Sequence, residues 1–226
     1  MNIAIIVAAG TGSRFSNDRP KQFEPINGKP LLAYTLRAFD ACDAVDRILL
    51  VLSEDGRVRF DEIQSEIGCV KPLTFAIGGA SRAESVRNGL DSAAAEPDDI
   101  VAIHDGARPL VTEDEISWTI QKAVETGAAC LCVEVSDTIK SVLDGTITAT
   151  VDRGALRRAV TPQAFRASIL SEALKNATLD DTITDESMLV EQLGLDVAVV
   201  EGSSRNIKVT RPEDISLAEI LLATDH

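Results

Sequence analysis

A glycine-rich turn with two basic residues close behind it stands near the start of the chain. An apolar run of strand length leads into it, and its small and basic residues are Ala8, Ala9, Gly10, Thr11, Gly12, Arg14 and Lys21. Small residues let backbone N–H groups approach a ligand closely, and nearby cations neutralise phosphate charge. The pattern predicts a nucleoside triphosphate site, with Arg14 and Lys21 beside the phosphates.

Other interpretations of this turn lack a residue that they need. A dinucleotide-binding turn has a third glycine where Phe15 stands, and a P-loop ends in Gly-Lys followed by Ser or Thr, which the chain lacks. The remaining alternative is a tight strand-to-helix turn with surface cations, which requires the small residues and both cations to coincide by chance.

Apolar runs that alternate with amphipathic stretches predict the elements that position the turn. The predicted strands are residues 3–8, 47–52, 73–77, 100–103, 128–135 and 197–200. The predicted helices are residues 30–39, 58–67, 83–95, a helix capped by Thr112 with Glu115, and residues 167–176, 185–193 and 212–223. This alternation predicts an α/β fold, namely a Rossmann-like, mostly parallel sheet with helices on both faces, in a single domain of residues 1–226.

Three polar loops come directly after predicted strands. They cover residues 10–21, 78–85 and 105–108. Ligands of parallel sheets bind at the carboxyl ends of the strands, so we expect the three loops to meet at one edge and form one site.

The alternation is interrupted after residue 135. Residues 137–153 alternate in polarity around the turn Asp144-Gly145, which predicts an inserted β-hairpin that protrudes as an arm. An isolated hairpin is marginally stable, so it needs a surface to lie on. Exchange between the subunits of a homodimer is the favoured explanation, and packing on its own domain is the alternative.

Composition limits the compartment and the partners. The net charge of −14 argues against nucleic acid and anionic membranes as partners, and no apolar run reaches the length of a membrane span. We therefore expect a cytoplasmic protein, in which the four cysteines stay reduced. Cys130 and Cys132 could be half a metal site, but they lie in an apolar run without a partner motif, which favours core positions.

Five stretches resemble one family of nucleotidyltransferases. They are residues 8–14 with Pro20-Lys21-Gln22, residues 104–109, residues 151–153 with Thr161-Pro162-Gln163, Thr184-Asp185-Glu186, and residues 206–214. In this order, over nearly the whole chain, they are similar to the 2-C-methyl-D-erythritol 4-phosphate cytidylyltransferases (IspD) of non-mevalonate isoprenoid biosynthesis. The first stretch alone indicates only a nucleotidyltransferase.

The resemblance implies a reaction. CTP and methylerythritol phosphate would give the CDP-alcohol and pyrophosphate with Mg²⁺ (or another divalent cation), by direct in-line attack of the acceptor phosphate on the α-phosphorus. Arg14, Lys21 and Lys208 would then be catalytic, and Asp105 would hold the metal ion. The remaining CTP contacts would come from Ala8, Ala9, Gly10, Thr11, Gly12, Gly78, Gly79, Ser85, Asp105, Gly106 and Ala107.

The resemblance also implies an acceptor site that includes the arm. Its residues would be Thr138, Arg153, Thr161, Thr184 and Lys208, with Arg153 reaching across from the partner subunit. Each has a structural alternative: Arg153 could pair with a surface acid, and Thr184 could cap the next helix, beside which Asp185 is either cap-adjacent or part of the site. We expect His104 to be a strand-end histidine and not a base, and Arg108 to support the Asp105 loop.

Two positions depart from the family pattern, and two other functions remain possible. Ser81 stands where an acidic residue is common, and Arg157 lies near a position that is often aromatic. A ribitol-5-phosphate cytidylyltransferase shares the first loop and the Thr-Pro-Gln stretch. A non-catalytic nucleotide-binding protein is the other alternative, against which the phosphate cations and the metal aspartate speak.

Overall fold

A computed structural model describes residues 1–10, 15, 20–180 and 182–224, with the backbone alone of Glu66. Its centre is a seven-stranded sheet. The strands of the sheet are β1 (Asn2–Val7), β4 (Arg47–Leu52), β5 (Leu73–Ile77), β6 (Ile100–Asp105), β7 (Ala128–Glu134), β10 (Arg157–Arg166) and β11 (Ala198–Glu201). The short strands β2 (Pro25–Ile26) and β3 (Lys29–Pro30) pair with each other outside it.

The strand order is β11-β7-β10-β6-β1-β4-β5. β1 lies between β4 and β6 and runs parallel to both, with Val7 paired to Val51 on one side and Asp105 on the other. The chain passes from β1 to β4 and β5 on one side of β1, and then crosses to β6 on the other side. The carboxyl ends of β1 and β6 therefore meet where loops diverge, the position at which such sheets bind ligands.

Seven α-helices are described. They are α1 (Leu31–Ala41), α2 (Glu54–Ile67), α3 (Arg82–Ala93), α4 (Glu113–Thr126), α5 (Ala167–Asn176), α6 (Glu186–Gln192) and α7 (Glu213–Ala223). α4 begins with the predicted capping box, since Thr112 Oγ1 accepts from Glu115 N and the Glu115 side chain accepts from Thr112 N. None of the helices in the described ranges is long and apolar enough to cross a lipid bilayer.

Helices cover both faces of the sheet, each over its own apolar core. On one face, Leu36 and Phe39 of α1 pack with Ile116 and Ile120 of α4. On the other, helices α3, α5 and α6 cover strand residues that include Ile5. The predicted fold class is confirmed, and the strands whose carboxyl ends form the site are buried between the two cores.

The predicted hairpin is present as β8 (Ile139–Leu143) and β9 (Thr146–Val151), paired with each other and with no other strand of the described chain. Asp144 and Gly145 form its turn with φ values of 47° and 76°. Every residue from 140 to 150 is exposed. Within this single chain, the hairpin therefore does not pack on its own domain.

Among the main elements, α2 and β10 differ most from the sequence predictions. α2 begins a turn earlier than predicted, because the Ser53 side chain accepts from Gly56 N and caps it. β10 was not predicted at all: it is antiparallel, pairs with β6 and β7, and shifts register against β7 between Ala159 and Gln163. Residues 160–165 of β10 are all buried, so this part of the strand lacks the alternation of apolar and polar residues that a strand with one exposed face would show.

Thr184 does not cap the sixth helix, which was the structural alternative for this residue. Asp185 caps α6, with extended backbone and a carboxylate that accepts from Met188 N at 3.0 Å. The Thr184 hydroxyl instead lies 3.7 Å from the Met188 sulfur. The charged acceptor one residue closer to the helix occupies the capping position.

Candidate active site

A cleft of about 400 Å³ lies at the carboxyl ends of β1 and β6. The three loops that the sequence predicts to converge all contribute to it. Its described lining residues are Val7, Ala8, Ala9, Gly10, Lys21, Gln22, Gly79, Ala80, Ser81, Arg82, Ser85, Asp105, Ala107, Lys208 and Thr210. They include three cations and one carboxylate, a balance that suits an anionic ligand.

Asp105, the last residue of β6, is the electrostatic centre of the cleft. Its Oδ1 lies 2.9 Å from Arg82 Nε, and its Oδ2 lies 2.8 Å from Lys208 Nζ and 3.5 Å from Arg108 Nε. Burial alone would raise the pKa of Asp105, but Arg82, Lys208 and Arg108 outweigh it and hold that pKa well below its usual value. The carboxylate is therefore ionised and shared among three cations.

Two buried side chains support Asp105 from behind. Asp105 N donates to Thr161 Oγ1 at 3.1 Å, and the Thr161 hydroxyl lies 3.0 Å from His104 Nδ1. His104 is fully buried, and burial lowers its pKa to about 3, so it is neutral. Because Thr161 Oγ1 accepts from Asp105 N, its own proton is free to be donated to Nδ1. This placement agrees with the expectation of a strand-end histidine.

The opening loop is held from inside the protein. The buried Gln22 donates through Nε2 to Ala8 O at 2.6 Å and Gly10 O at 3.3 Å. Lys21 donates from Nζ to Val209 O at 3.1 Å, which joins this loop to the segment that carries Lys208. The sequence predictions at Thr11, Gly12 and Arg14 lie outside the described residues.

The loop of residues 78–85 lies directly against the opening loop. A Cβ on Gly78 would lie 2.3 Å from the Ala9 Cβ, so only glycine allows this approach. The Ser85 hydroxyl accepts from Gly79 N at 3.0 Å and donates to Ser81 O at 2.9 Å. Ser81 caps α3 and also donates to Leu179 O, so the position that departs from the family pattern has a structural role here.

Lys208 is positioned by its neighbours in the segment of residues 206–209. Val209 N donates to Ala107 O at 2.8 Å, and Asn206 Nδ2 donates to Thr161 O at 3.0 Å. Arg108 Nη1 donates to Asn206 O at 2.8 Å. The mostly buried Arg108 therefore ties this segment to the Asp105 loop, as the sequence predicts.

The structure brings some of the predicted site residues together and leaves others apart. Gly106 N donates to Val7 O at 2.9 Å beneath the cleft, next to its lining residues. Thr161 is buried behind Asp105 and does not line the cleft. Thr138, Arg153 and Thr184 are exposed and do not line it either; Arg153 donates to Ser136 O at the base of the arm. Their predicted contacts with an acceptor stay predictions.

Three residues that no sequence prediction placed in the site belong to its framework: Gln22, Arg82 and Glu186. Arg82 Nη1 lies 2.6 Å from Glu186 Oε1, and Glu186 is fully buried. Burial raises the pKa of Glu186, an effect that the Arg82 charge opposes. Periodicity does not reveal contacts between residues that are far apart in the chain. The sequence offered one indication of their role, namely that Gln22, Arg82 and Glu186 each lie in a polar motif.

The Cys130-Leu131-Cys132 pattern contributes core residues. The two sulfur atoms lie 3.7 Å apart and both side chains are buried in β7. Within the described ranges, no three residues of the types His, Cys, Asp and Glu form a group that could hold a metal ion. Arg157, the second departure from the family pattern, pairs with Glu201 at 2.8 Å.

Comparison with known proteins decides the family. The model of the family described as IspD, 2-C-methyl-D-erythritol 4-phosphate cytidylyltransferase, matches residues 2–224. The chain belongs to this family. A cytidylyltransferase of this name from Syntrophus aciditrophicus is 44% identical over 223 residues, covering 97% of this chain and 95% of the relative. One from Bacillus licheniformis is 39% identical and covers 100% of this chain and 97% of the relative.

Solved structures of cytidylyltransferase family members have the same fold. The Francisella tularensis 2-C-methyl-D-erythritol 4-phosphate cytidylyltransferase superposes with a TM-score of 0.80 at 30% identity, covering 97% of this chain and 99% of the other. The 4-diphosphocytidyl-2C-methyl-D-erythritol synthase from Anaerococcus prevotii gives 0.85 at 28% identity, with 98% and 96% covered. The likeness therefore extends over nearly the whole chain.

Proposed function

We propose that this protein transfers CMP from CTP to 2-C-methyl-D-erythritol 4-phosphate, giving 4-diphosphocytidyl-2-C-methyl-D-erythritol and pyrophosphate. Membership of the family and the names of its relatives support this assignment. The structural observation that carries it is the Asp105 cluster in a cleft formed by two small-residue loops. Lys21, Arg82 and Lys208 line that cleft, in a protein whose net charge is −14.

The two loops would bind the nucleotide. Ala8, Ala9 and Gly10 present backbone to the cleft, and we propose that Thr11, Gly12 and Arg14 continue this contact. Gly79 and Ser85 line the opposite side, where the close packing of Gly78 on Ala9 narrows the space. A pyrimidine fits such a space better than a purine, and backbone groups there can read its polar edge.

The reaction needs no protein nucleophile. It needs cations that neutralise the negative charge on the reacting phosphates. An oxygen of the acceptor phosphate attacks the α-phosphorus while pyrophosphate leaves, so negative charge accumulates on the transferring group. Cations fixed around that position stabilise the transition state. Lys208 is suited to this role because Asp105 and the Val209–Ala107 hydrogen bond hold it at the cleft. Lys21 would neutralise the triphosphate from the other loop.

The donor set at the cleft fits a divalent cation that arrives with the nucleotide. Asp105 is the one carboxylate among the described lining residues, and Mg²⁺ is commonly bound by one or two carboxylates plus substrate phosphates and water. Asp105 is ionised, and we propose that it holds the ion. When bound, Mg²⁺ would offset charge on the phosphates.

The acceptor site would be completed across a homodimer. The arm exposes Val142, Leu143 and Ile147, which a partner surface could cover. We propose that Arg153 of one subunit, together with Thr138, reaches the acceptor phosphate beside Thr161, Thr184 and Lys208 of the other. The exposed Arg153, which lies outside the cleft of its own chain, is consistent with this exchange. The proposed location of the enzyme is the cytoplasm.

Product analysis tests the assignment directly. The purified protein is incubated with CTP, Mg²⁺ and methylerythritol phosphate, and the CDP-alcohol and pyrophosphate are quantified by chromatography and a coupled phosphate assay. A parallel reaction contains ribitol 5-phosphate. Faster turnover of ribitol phosphate would replace the proposed acceptor, and binding of CTP without either product would indicate a non-catalytic nucleotide-binding protein.

A further inference from the structure

Glu186 is a fully buried acid at the first position of α6. Its Oε1 accepts from Arg82 Nη1 at 2.6 Å, and its Oε2 has no hydrogen-bond partner among the described residues. Taking a carboxylate out of water is costly unless it is paired. Arg82, the described partner of Glu186, also lines the cleft, so any influence of Glu186 on the cleft would pass through Arg82.

Arg82 divides its guanidinium between two carboxylates. Nε lies 2.9 Å from Asp105 Oδ1, while Nη1 is held by Glu186. A planar guanidinium can bind a single carboxylate through two parallel hydrogen bonds. Arg82 instead contacts each of two carboxylates once, Glu186 through Nη1 and Asp105 through Nε, and Asp105 Oδ2 lies 2.8 Å from Lys208 Nζ.

The same pair joins two parts of the site. Arg82 follows the loop of residues 78–81 at the start of α3, and Glu186 follows Thr184 and Asp185. A second link runs in parallel, from Ser81 Oγ to Leu179 O at 3.0 Å. Arg82 therefore joins Glu186 to the end of the loop of residues 78–81.

We propose that Glu186 is a positioning residue, which acts through Arg82 to keep the Asp105 carboxylate oriented with one oxygen toward Lys208. The inference rests on the proposed function, since it concerns the same cleft. Without the Glu186 charge, Arg82 loses the contact that holds its Nη1, so Nε no longer keeps Asp105 Oδ1 in place and Oδ2 loses its orientation toward Lys208. Asp105 and Lys208 are then no longer correctly placed for the nucleotide, although the fold is kept.

The test is the affinity for CTP, measured by calorimetry with Mg²⁺ and without an acceptor. In Glu186→Gln, which keeps the size and removes the charge, we expect CTP to bind about tenfold more weakly. In the Arg82→Lys background, Glu186→Gln should have little further effect on CTP affinity, because the Glu186–Arg82–Asp105 connection is already broken. Additive losses in this double-mutant cycle would overturn the proposal, since they would mean that Glu186 acts independently of Arg82.

Asp99→Asn is the matched control. Asp99 is also a buried carboxylate and pairs with the amino terminus at 2.8 Å, but it lies at the opposite end of β6. This variant should unfold at lower urea concentration without a change in CTP affinity. If Glu186→Gln also loses stability without a change in CTP affinity, Glu186 has only a structural role and the proposal fails.

The remaining outcomes separate this inference from the proposed function. If the wild type binds CTP and forms product while Glu186→Gln binds CTP equally well, only the inference is wrong. If the wild type neither binds CTP nor forms product, both fall. Should Glu186→Gln not fold, Glu186→Asp keeps the charge but shortens its reach to Arg82, and CTP affinity equal to that of the wild type would contradict the proposal.

Discussion

Lys208 Nζ lies 2.8 Å from Asp105 Oδ2, so a lysine from the segment before α7 pairs with the last residue of a central strand. The lysine side chain is about a third exposed, and the aspartate is almost entirely buried. The buried partner is fixed and the exposed partner can move. A phosphate that enters the cleft can therefore engage Lys208 while Arg82 and Arg108 continue to neutralise Asp105.

Lys208→Ala should lower kcat by about 10²- to 10³-fold, the usual loss when one charge-stabilising donor is removed. The fold should be kept, because Asp105 retains Arg82 and Arg108. Initial rates at saturating CTP and acceptor measure the effect. Lys122→Ala is the control, since Lys122 pairs with Glu125 on the exposed side of α4. Near-normal turnover of Lys208→Ala would remove Lys208 from the mechanism.

Gly78→Ala should weaken CTP binding by about tenfold or more, because the new Cβ would lie 2.3 Å from the Ala9 Cβ and force the two loops apart. The KM for CTP measures this. In Gly89→Ala the Cβ would meet Ile5 and Val51 side chains at 2.8 and 2.9 Å, inside the core. That control should lose stability and keep its KM. An unchanged KM in Gly78→Ala would mean that CTP binding does not depend on the contact between Gly78 and Ala9.

Thr161→Val should lower the free energy of unfolding by about 1–3 kcal/mol, because Asp105 N and His104 Nδ1 lose their partner inside the protein. Urea denaturation measures the change. Thr119→Val is the matched control: Thr119 is equally buried, but its hydroxyl donates to a helix carbonyl, so the change leaves no donor unpaired. Equal losses in the two variants would show that the Thr161 hydroxyl has no special role.

Subunit mixing tests the exchange of the arm. Arg153→Ala and Lys208→Ala subunits, each with low activity alone, should regain activity when combined in a heterodimer. One of the two sites then contains Lys208 from one chain and Arg153 from the other. Differently tagged subunits purified in two steps and assayed for product measure this. A verified heterodimer without recovered activity would place both groups in the same chain.

The sequence by itself determined the fold class, because the apolar runs and their spacing specify which stretches are buried as strands and which cover them. It also determined that the loops after β1, β5 and β6 meet, since parallel strands bring their carboxyl ends to one edge. The residues Ala8, Lys21, Asp105 and Lys208 were predicted as members of one site, and the structure brings these four to one cleft.

Tertiary structure alone decided which side chains hold that site in shape. β10 lies in the centre of the sheet, and its antiparallel pairing with β6 places Thr161 behind Asp105. The Arg82–Glu186 pair and the Gln22 hydrogen bonds join residues whose separation in the chain leaves no periodic signal. Buried polar groups must find partners wherever the fold places them, so these contacts are fixed by the assembled sheet and not by local sequence.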